Sequence, residues 1–231
     1  MASQRHLVWD WNGTLLDDLS LVVAATNAAF ATVAGPTVTA EQHRLDFRRP
    51  VADYYAYVLG RLVDRAEFAR LDRVFHDAYR SGLATCRLTA DAVAAVRSWP
   101  GTQSLLSMWF HDELVPLVSG CGLADQFVRV DGLRDAVGGG PKGPHLTAHL
   151  DALGVDPAAV VLIGDSVDDA YAAAEAGAGC VLYSGGFTDP AQLRATGLPL
   201  ADTLRDAVAL AAGLAGQAEP ARPAGTAGAV A

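Results

Sequence analysis

His6-Leu-Val-Trp-Asp-Trp-Asn-Gly-Thr-Leu-Leu-Asp-Asp18 is the stretch on which the fold turns. The apolar run 7–9 reads as a strand, and it ends in a carboxylate, Asp10. A Gly13-Thr14 pair follows, where the chain must turn sharply. In an open α/β sheet, ligands bind beyond the carboxyl ends of the strands. A carboxylate in that place can serve as nucleophile or metal ligand, so the chemistry is expected to start at Asp10.

Four further apolar runs read as strands, at residues 104–106, 127–130, 160–163 and 180–182. The run 160–163 has no polar alternation, as a central parallel strand buried on both faces requires. Helical patterns separate these runs, with Leu114, Leu117 and Val118 over 112–122, Leu146, His149, Leu150 and Leu153 over 144–154, and an alanine-rich segment over 168–177. Strands alternating with helices predict a Rossmann-like, doubly wound parallel sheet.

The gap from about residue 16 to 100 is too long for one crossover. Leu19, Val22, Val23, Phe30 and Val33 recur at helical spacing, as do Phe68, Leu71, Val74, Phe75 and Ala78. Between them lie the loop 47–51 and a segment carrying Tyr54, Tyr55 and Tyr57. Residues 17–85 are read as a helical cap inserted into a core of residues 1–16 and 86–212; helices packed on the sheet edge are the alternative. The Ala/Gly/Pro-rich tail 213–231 is expected to be disordered.

With 231 residues, about half of them apolar, the chain suits a core plus a smaller insert. Its net charge of −9 disfavours a nucleic-acid partner. Cys86, Cys121 and Cys180 form no CxxC pair and are expected to be reduced, as in a cytoplasmic protein. The N-terminal residues carry no apolar run suited to a signal peptide or membrane span. A monomer or homodimer is expected.

Four chemistry-bearing pieces fall at four strand ends: Asp10 and Asn12, Ser107, Lys142, and Gly164-Asp-Ser-Val-Asp-Asp169. Carboxylates meeting at one point repel unless a cation lies between them, and oxygen-only ligands favour a hard ion such as Mg2+. A lysine and a hydroxyl beside them can hold phosphate oxygens, which describes a site for phosphoryl transfer to an aspartate.

On these residues the chain resembles the haloacid dehalogenase superfamily, in particular its phosphoglycolate-phosphatase-like subgroup with a helical cap. Asp10-Trp-Asn12-Gly-Thr-Leu-Leu-Asp17 stands where that family has Asp-x-Asp-Gly-Thr-Leu-x-Asp; Leu105-Leu-Ser107, Lys142 and Gly164-Asp165 to Asp169 match the remaining motifs. The resemblance implies a Mg2+-dependent phosphatase acting on a small phosphorylated metabolite. Asp10 would be the nucleophile. Asp10, the backbone carbonyl of Asn12 and Asp165 would bind the metal, while Asp169 would reach it through water or orient Lys142. Ser107 and the Met108 backbone N–H would grip phosphate, Lys142 would neutralise the transferring group, and Gly13 and Thr14 would form the turn into the mobile segment.

One position departs from the pattern. Asn12 replaces the family's general acid/base aspartate, and an amide does not titrate in this range. Three readings stand open: a phosphatase that manages with a surrogate (Asp17, His43 or His111) or with an easy leaving group, a slow phosphotransferase, and a regulator that has lost catalysis. Arg48 and Arg49 either reach a second anionic group of the substrate or are a solvated loop pair. Tyr54, Tyr55 and Tyr57 line the substrate pocket or form cap core, and Asp168 is expected to be exposed.

Overall fold

The computed structural model describes residues 5–134 and 139–214. The chain opens with β1 (His6–Trp9), the short β2 (Leu16–Asp17), and four helices, α1 (Leu19–Ala31), α2 (Ala40–Asp46), α3 (Val51–Leu59) and α4 (Arg65–Gly82). Then come β3 (Arg87–Leu88), α5 (Ala92–Ser98), β4 (Thr102–Phe110), α6 (His111–Gly120), β5 (Val130–Leu133), α7 (Gly143–Leu153), β6 (Val160–Gly164), α8 (Val167–Ala176), β7 (Gly179–Tyr183), α9 (Pro190–Ala195), β8 (Leu200–Ala201) and α10 (Leu204–Leu214).

Six strands form one parallel sheet in the order β5-β4-β1-β6-β7-β8. Alternate residues face opposite sides of a strand, and both sides are apolar. Leu7, Trp9, Leu105, Val161, Ile163 and Val181 pack with α5, α6 and α10 on one face. Val8, Leu106, Leu162, Cys180 and Leu182 pack with α7 and α8 on the other. The sheet is therefore doubly wound, as its strand runs predict. β1 lies in the middle, with β4 on one side and β6 on the other, so the order reverses there. Such a switch point leaves a crevice at the carboxyl ends of the strands, and Asp10 is the residue after β1.

The expected strand at 127–130 is displaced to Val130–Leu133, and that at 104–106 is the nine-residue β4. β8 and the antiparallel pair β2–β3 are additions to the expected set. Gly213 belongs to α10, which shortens the expected disordered tail at its start; residues 215–231 lie outside those described.

Helices α1 to α4 are inserted between β1 and β4. They share a cluster of their own, with Phe30, Val38, Tyr54, Tyr55 and Leu71 at its centre. Local capping sets the helix starts: Thr39 and Gln42 form a reciprocal capping box at α2, and the Asp64 side chain accepts from Glu67 N at α4. The last turn of α2 and the start of α3 return to the core. Arg44 donates to the Gly185 and Gly186 carbonyls at 3.0 and 2.8 Å, and Val51 N donates to the Gly139 carbonyl at 2.9 Å.

Candidate active site

Asp10 is buried at the end of β1, where its backbone N–H donates to the Ile163 carbonyl of β6. Lys142, the residue before α7, is also buried and places Nζ 2.6 Å from Asp10 Oδ1. The same ammonium donates to Asp169 Oδ1. Asp169 is fixed by its own helix: its Oδ2 accepts from Ser166 N at 3.0 Å and Ser166 Oγ at 2.6 Å, a capping box at the start of α8. Asp169 thus orients Lys142 with one oxygen and caps α8 with the other.

Asp165 follows β6. Its Oδ1 accepts from Thr14 Oγ1 at 2.8 Å and its Oδ2 from Phe187 N at 2.6 Å. Two glycines make room for it. Gly13 has φ +75°, and a Cβ there would lie 2.5 Å from Asp165 Oδ2; a Cβ at Gly186 would collide with the same carboxylate. Gly13 and Thr14 are therefore built into the carboxylate's surroundings.

Carboxylate oxygens of Asp10, Asp165 and Asp169 lie within 4.8 Å of one another. Burial, then repulsion from Asp10 and Asp169, pushes Asp165 well above the ordinary carboxylate range. Asp10 is pushed up to about 6 by burial, with Lys142 opposing and Asp169 adding to the rise. Burial disfavours the Lys142 ammonium, but Asp10 and Asp169 outweigh this and keep its pKa raised. Three buried carboxylates around one ammonium leave a deficit of positive charge. An all-oxygen donor set with that deficit fits a hard divalent cation.

The side chain of Asn12 is held on all sides. Its Nδ2 donates to Asp18 Oδ2 at 2.8 Å and to the Tyr79 hydroxyl oxygen at 2.9 Å, and its Oδ1 accepts from Ser107 Oγ at 3.0 Å. Ser107 Oγ in turn accepts from Trp109 N at 3.0 Å. Asp18 is buried, and it also accepts from Gly13 N at 2.8 Å and Tyr79 Oη at 2.6 Å. Burial pushes Asp18 up to about 6, against those hydrogen bonds.

Asp18 and Tyr79 are the residues that sequence reasoning missed. The signal was the Asp17-Asp18 pair. The β2–β3 ladder exposes Asp17 opposite Arg87, and Asp18, one residue on, is buried against Asn12. Asp17 is thus turned away from the site. His111 opens α6, where its ring accepts from Gly132 N at 3.3 Å and meets Arg134. His43 is buried over the site and lines the same cavity as Asn12 and Met108.

The two loop arginines diverge. Arg48 is exposed, donates to the Asp46 carbonyl and lies 4.2 Å over the Tyr57 ring, so neither Arg48 nor Tyr57 faces the site. Arg49 lines the cavity, 3.5 Å from Asp168 and 3.2 Å from the Gly140 carbonyl. Asp168, expected to be exposed, has only 15% of its side chain accessible, because it faces Arg49 and accepts from Lys142 N. Tyr54 and Tyr55 are buried and line the cavity.

Fold and site define a class: a doubly wound α/β protein with a buried aspartate–lysine centre at the switch point of its sheet and a helical insert after the first strand. The profile of the haloacid dehalogenase-like hydrolases matches residues 4–177, and the chain belongs to that family. It is 28% identical over 190 residues to a phosphoglycolate phosphatase of Caulobacter vibrioides, covering 79% of this chain and 80% of that one. A phosphoglycolate phosphatase of Chromobacterium violaceum is 24% identical over 203 residues, 83% and 90% of the two chains. The crystal structure of a predicted phosphatase from Clostridium acetobutylicum superposes with a TM-score of 0.81 at 12% identity, over 91% of this chain and 99% of that one.

Proposed function

We propose that the protein is a Mg2+-dependent phosphatase that hydrolyses a small phosphorylated metabolite through an aspartyl-phosphate. The observation that carries this reading is the buried Asp10–Lys142 contact of 2.6 Å beside Asp165 and Asp169. A nucleophilic carboxylate needs a neighbouring cation that also stabilises the transferring group, and Lys142 is in reach of both.

Asp10 would attack phosphorus while the bond to the leaving oxygen breaks, its electron pair going to that oxygen. Water would then attack the phosphorus of the aspartyl-phosphate, releasing phosphate and restoring Asp10. Ser107 Oγ and the Met108 N–H would hold phosphate oxygens, and Lys142 would balance their charge. Asp10, the Asn12 carbonyl and Asp165 would hold Mg2+, which when bound supplies positive charge to the phosphate. Helices α1 to α4 would act as a cap that excludes bulk water. The described helices include none long and apolar enough to cross a membrane.

Hydrolysis of p-nitrophenyl phosphate with Mg2+, with EDTA and in Asp10→Asn tests the proposal. Metal-dependent turnover abolished by Asp10→Asn is the expected result, and turnover that survives it would overturn the assigned nucleophile. The hydrogen-bonded amide of Asn12 favours a second reading, a regulator that binds phosphorylated ligands without turnover. That reading predicts no turnover and no joint rise in Tm with Mg2+ and beryllofluoride, whereas a working site predicts a large joint rise that Asp10→Ala removes.

A further inference from the structure

Between the helical insert and the strand ends lies a cavity of about 100 Å3. Its wall is rich in aromatic side chains: Phe47, Tyr54, Tyr55, Phe75, Trp109 and Phe187 all line it. The rings brace one another, Phe47 edge-on to Phe187 at 6.2 Å and Trp109 against Tyr79 at 4.7 Å. Set into this wall are buried polar atoms with no hydrogen-bond partner, His43 Nε2, His76 Nδ1 and Trp109 Nε1, while His76 Nε2 lies 3.2 Å from Oδ1 of Asp72, which also lines the cavity. Buried polar atoms are rarely left unpaired, so a ligand that meets them is expected. The cation of the wall, Arg49, already faces Asp168 and the Gly140 carbonyl. Nothing in this lining singles out a small carboxylate such as phosphoglycolate.

The volume sets an upper bound on the occupant: at about 100 Å3 the cavity is smaller than the apolar cavity of about 150 Å3 that binds benzene, so it holds one ring at most. A flat ring between Phe47, Phe75, Trp109 and Phe187 would stack edge-on or offset, as aromatic pairs prefer. A polar substituent or ring heteroatom would satisfy His43 Nε2 or Trp109 Nε1.

Asn12 points to the same class independently. Its amide is fixed by Asp18, Tyr79 and Ser107 and has no proton to give to a leaving oxygen. An alkoxide leaves poorly without that proton, whereas an aryl oxide leaves as the anion.

We infer that the substrate is the phosphate monoester of a phenol-type hydroxyl on a single aromatic ring, which the cavity binds and which departs unprotonated. The inference rests on the phosphatase reading above and narrows it. In the first step an Asp10 oxygen bonds to phosphorus, the aryl C–O–P bridge breaks at P–O, and the aryl oxide keeps the electron pair, taking a proton later from solvent. In the second, water adds to phosphorus and the acyl-phosphate bond breaks. Both protons of that water stay on the product, which leaves as dihydrogen phosphate, and Asp10 is again a carboxylate.

The test measures kcat/KM with Mg2+ for substituted phenyl phosphates of graded leaving-group acidity, acetyl phosphate, glycerol phosphate and phosphoglycolate. Aryl esters are expected to exceed the two alkyl esters by at least about 10²-fold, the usual lower worth of a general acid. The rate should rise steeply with leaving-group acidity, and Asn12→Asp should flatten that slope. Trp109→Leu should raise KM for phenyl phosphate at least about tenfold more than for acetyl phosphate, with Phe75→Leu as the second variant if the first fails to fold. Alkyl esters hydrolysed as well as aryl ones, or a flat slope in the unaltered protein, would overturn the inference and leave the phosphatase reading standing. If no ester and no acetyl phosphate is hydrolysed, the phosphatase reading falls as well.

Discussion

The Asp18 side chain accepts three hydrogen bonds, and each holds a group that matters. Its carboxylate accepts from Gly13 N, Asn12 Nδ2 and Tyr79 Oη, so the turn after the first strand, the amide of Asn12 and helix α4 are tied together at one point. Asp18→Asn keeps the shape but leaves one acceptor oxygen where there were two. Either Gly13 N or the Asn12–Tyr79 pair must then face an N–H. A buried donor left unpaired costs about 1–3 kcal/mol, so the unfolding free energy is expected to fall by that much, read as a lower denaturant midpoint with m unchanged. Turnover should fall with it, because Ser107 Oγ loses a fixed acceptor at Asn12 Oδ1. An unchanged midpoint would mean that the Asp18 contacts are not the ones holding Asn12.

At the scale of elements, a buried polar chain links β1, β4, β5 and α7. His6 Nε2 meets Ser104 Oγ at 2.8 Å, His149 Nε2 meets the same oxygen at 2.7 Å, and His149 Nδ1 meets Asp131 Oδ2 at 2.7 Å. The last three residues have the connectivity of a Ser-His-Asp triad, yet Ser104 is wholly buried in the sheet, and the chain serves to lock strands to helix. Burial, then His149, lowers the His6 pKa to about 4 from 6.5. Between those values the unfolded chain binds a proton that the folded one refuses, so folding stability falls as pH drops from about 6.5 toward 4, by up to about 3 kcal/mol from this group. Asp10 and Asp18, each raised to about 6, work in the opposite sense over part of that range. The comparison that isolates His6 is therefore unfolding of His6→Gln beside the unaltered protein at pH 7 and pH 4.5: the variant should lose less on acidification, and equal losses would refute the shift. The same chain explains which elements the sequence disclosed. β1 and β6 are unbroken apolar runs and were legible. β4 was read too short because polar Thr102 and Gln103 precede the run 104–106 and Ser107 follows it, and only tertiary partners make them tolerable: His6 for Thr102, Trp9 and the Val96 carbonyl for Gln103, Asn12 for Ser107. Asp10, Lys142 and Asp165 could be grouped from the sequence because each lies beyond a strand run, at the carboxyl edge of an open sheet. Asp18 and the aromatic wall were not, because strand parity at β2 and the folding-over of four helices decide them.

For the molecule as a whole, the contact that matters is the one between the helical insert and the loops at the carboxyl edge of the sheet. Arg44 donates to the Gly185 and Gly186 carbonyls while its own carbonyl accepts from Asp189 N, and Gln192 Nε2 donates to the Leu45 carbonyl at 2.6 Å. Gly186 adjoins Phe187, which both donates to Asp165 and lines the cavity, so the latch is two residues from the carboxylate centre. Most of the fold's apolar burial lies elsewhere, on the two faces of the sheet. Removing the latch should therefore change how the insert sits over the site far more than it changes global stability. Arg44→Ala deletes two side-chain hydrogen bonds, each worth about 0.5–1.5 kcal/mol net. If these bonds bias a closed arrangement, the loss shifts that balance by about tenfold per 1.4 kcal/mol, and kcat/KM should drop by roughly that factor. Tm should move by only about 2–4 °C, the shift expected of about 1 kcal/mol in a domain of this size. Amide hydrogen exchange should quicken between residues 40 and 60 and stay unchanged in β1 and β6. A fall in Tm large enough to account for the lost activity, or exchange that quickens across the sheet, would show instead that Arg44 supports the core and that the insert does not move as a unit.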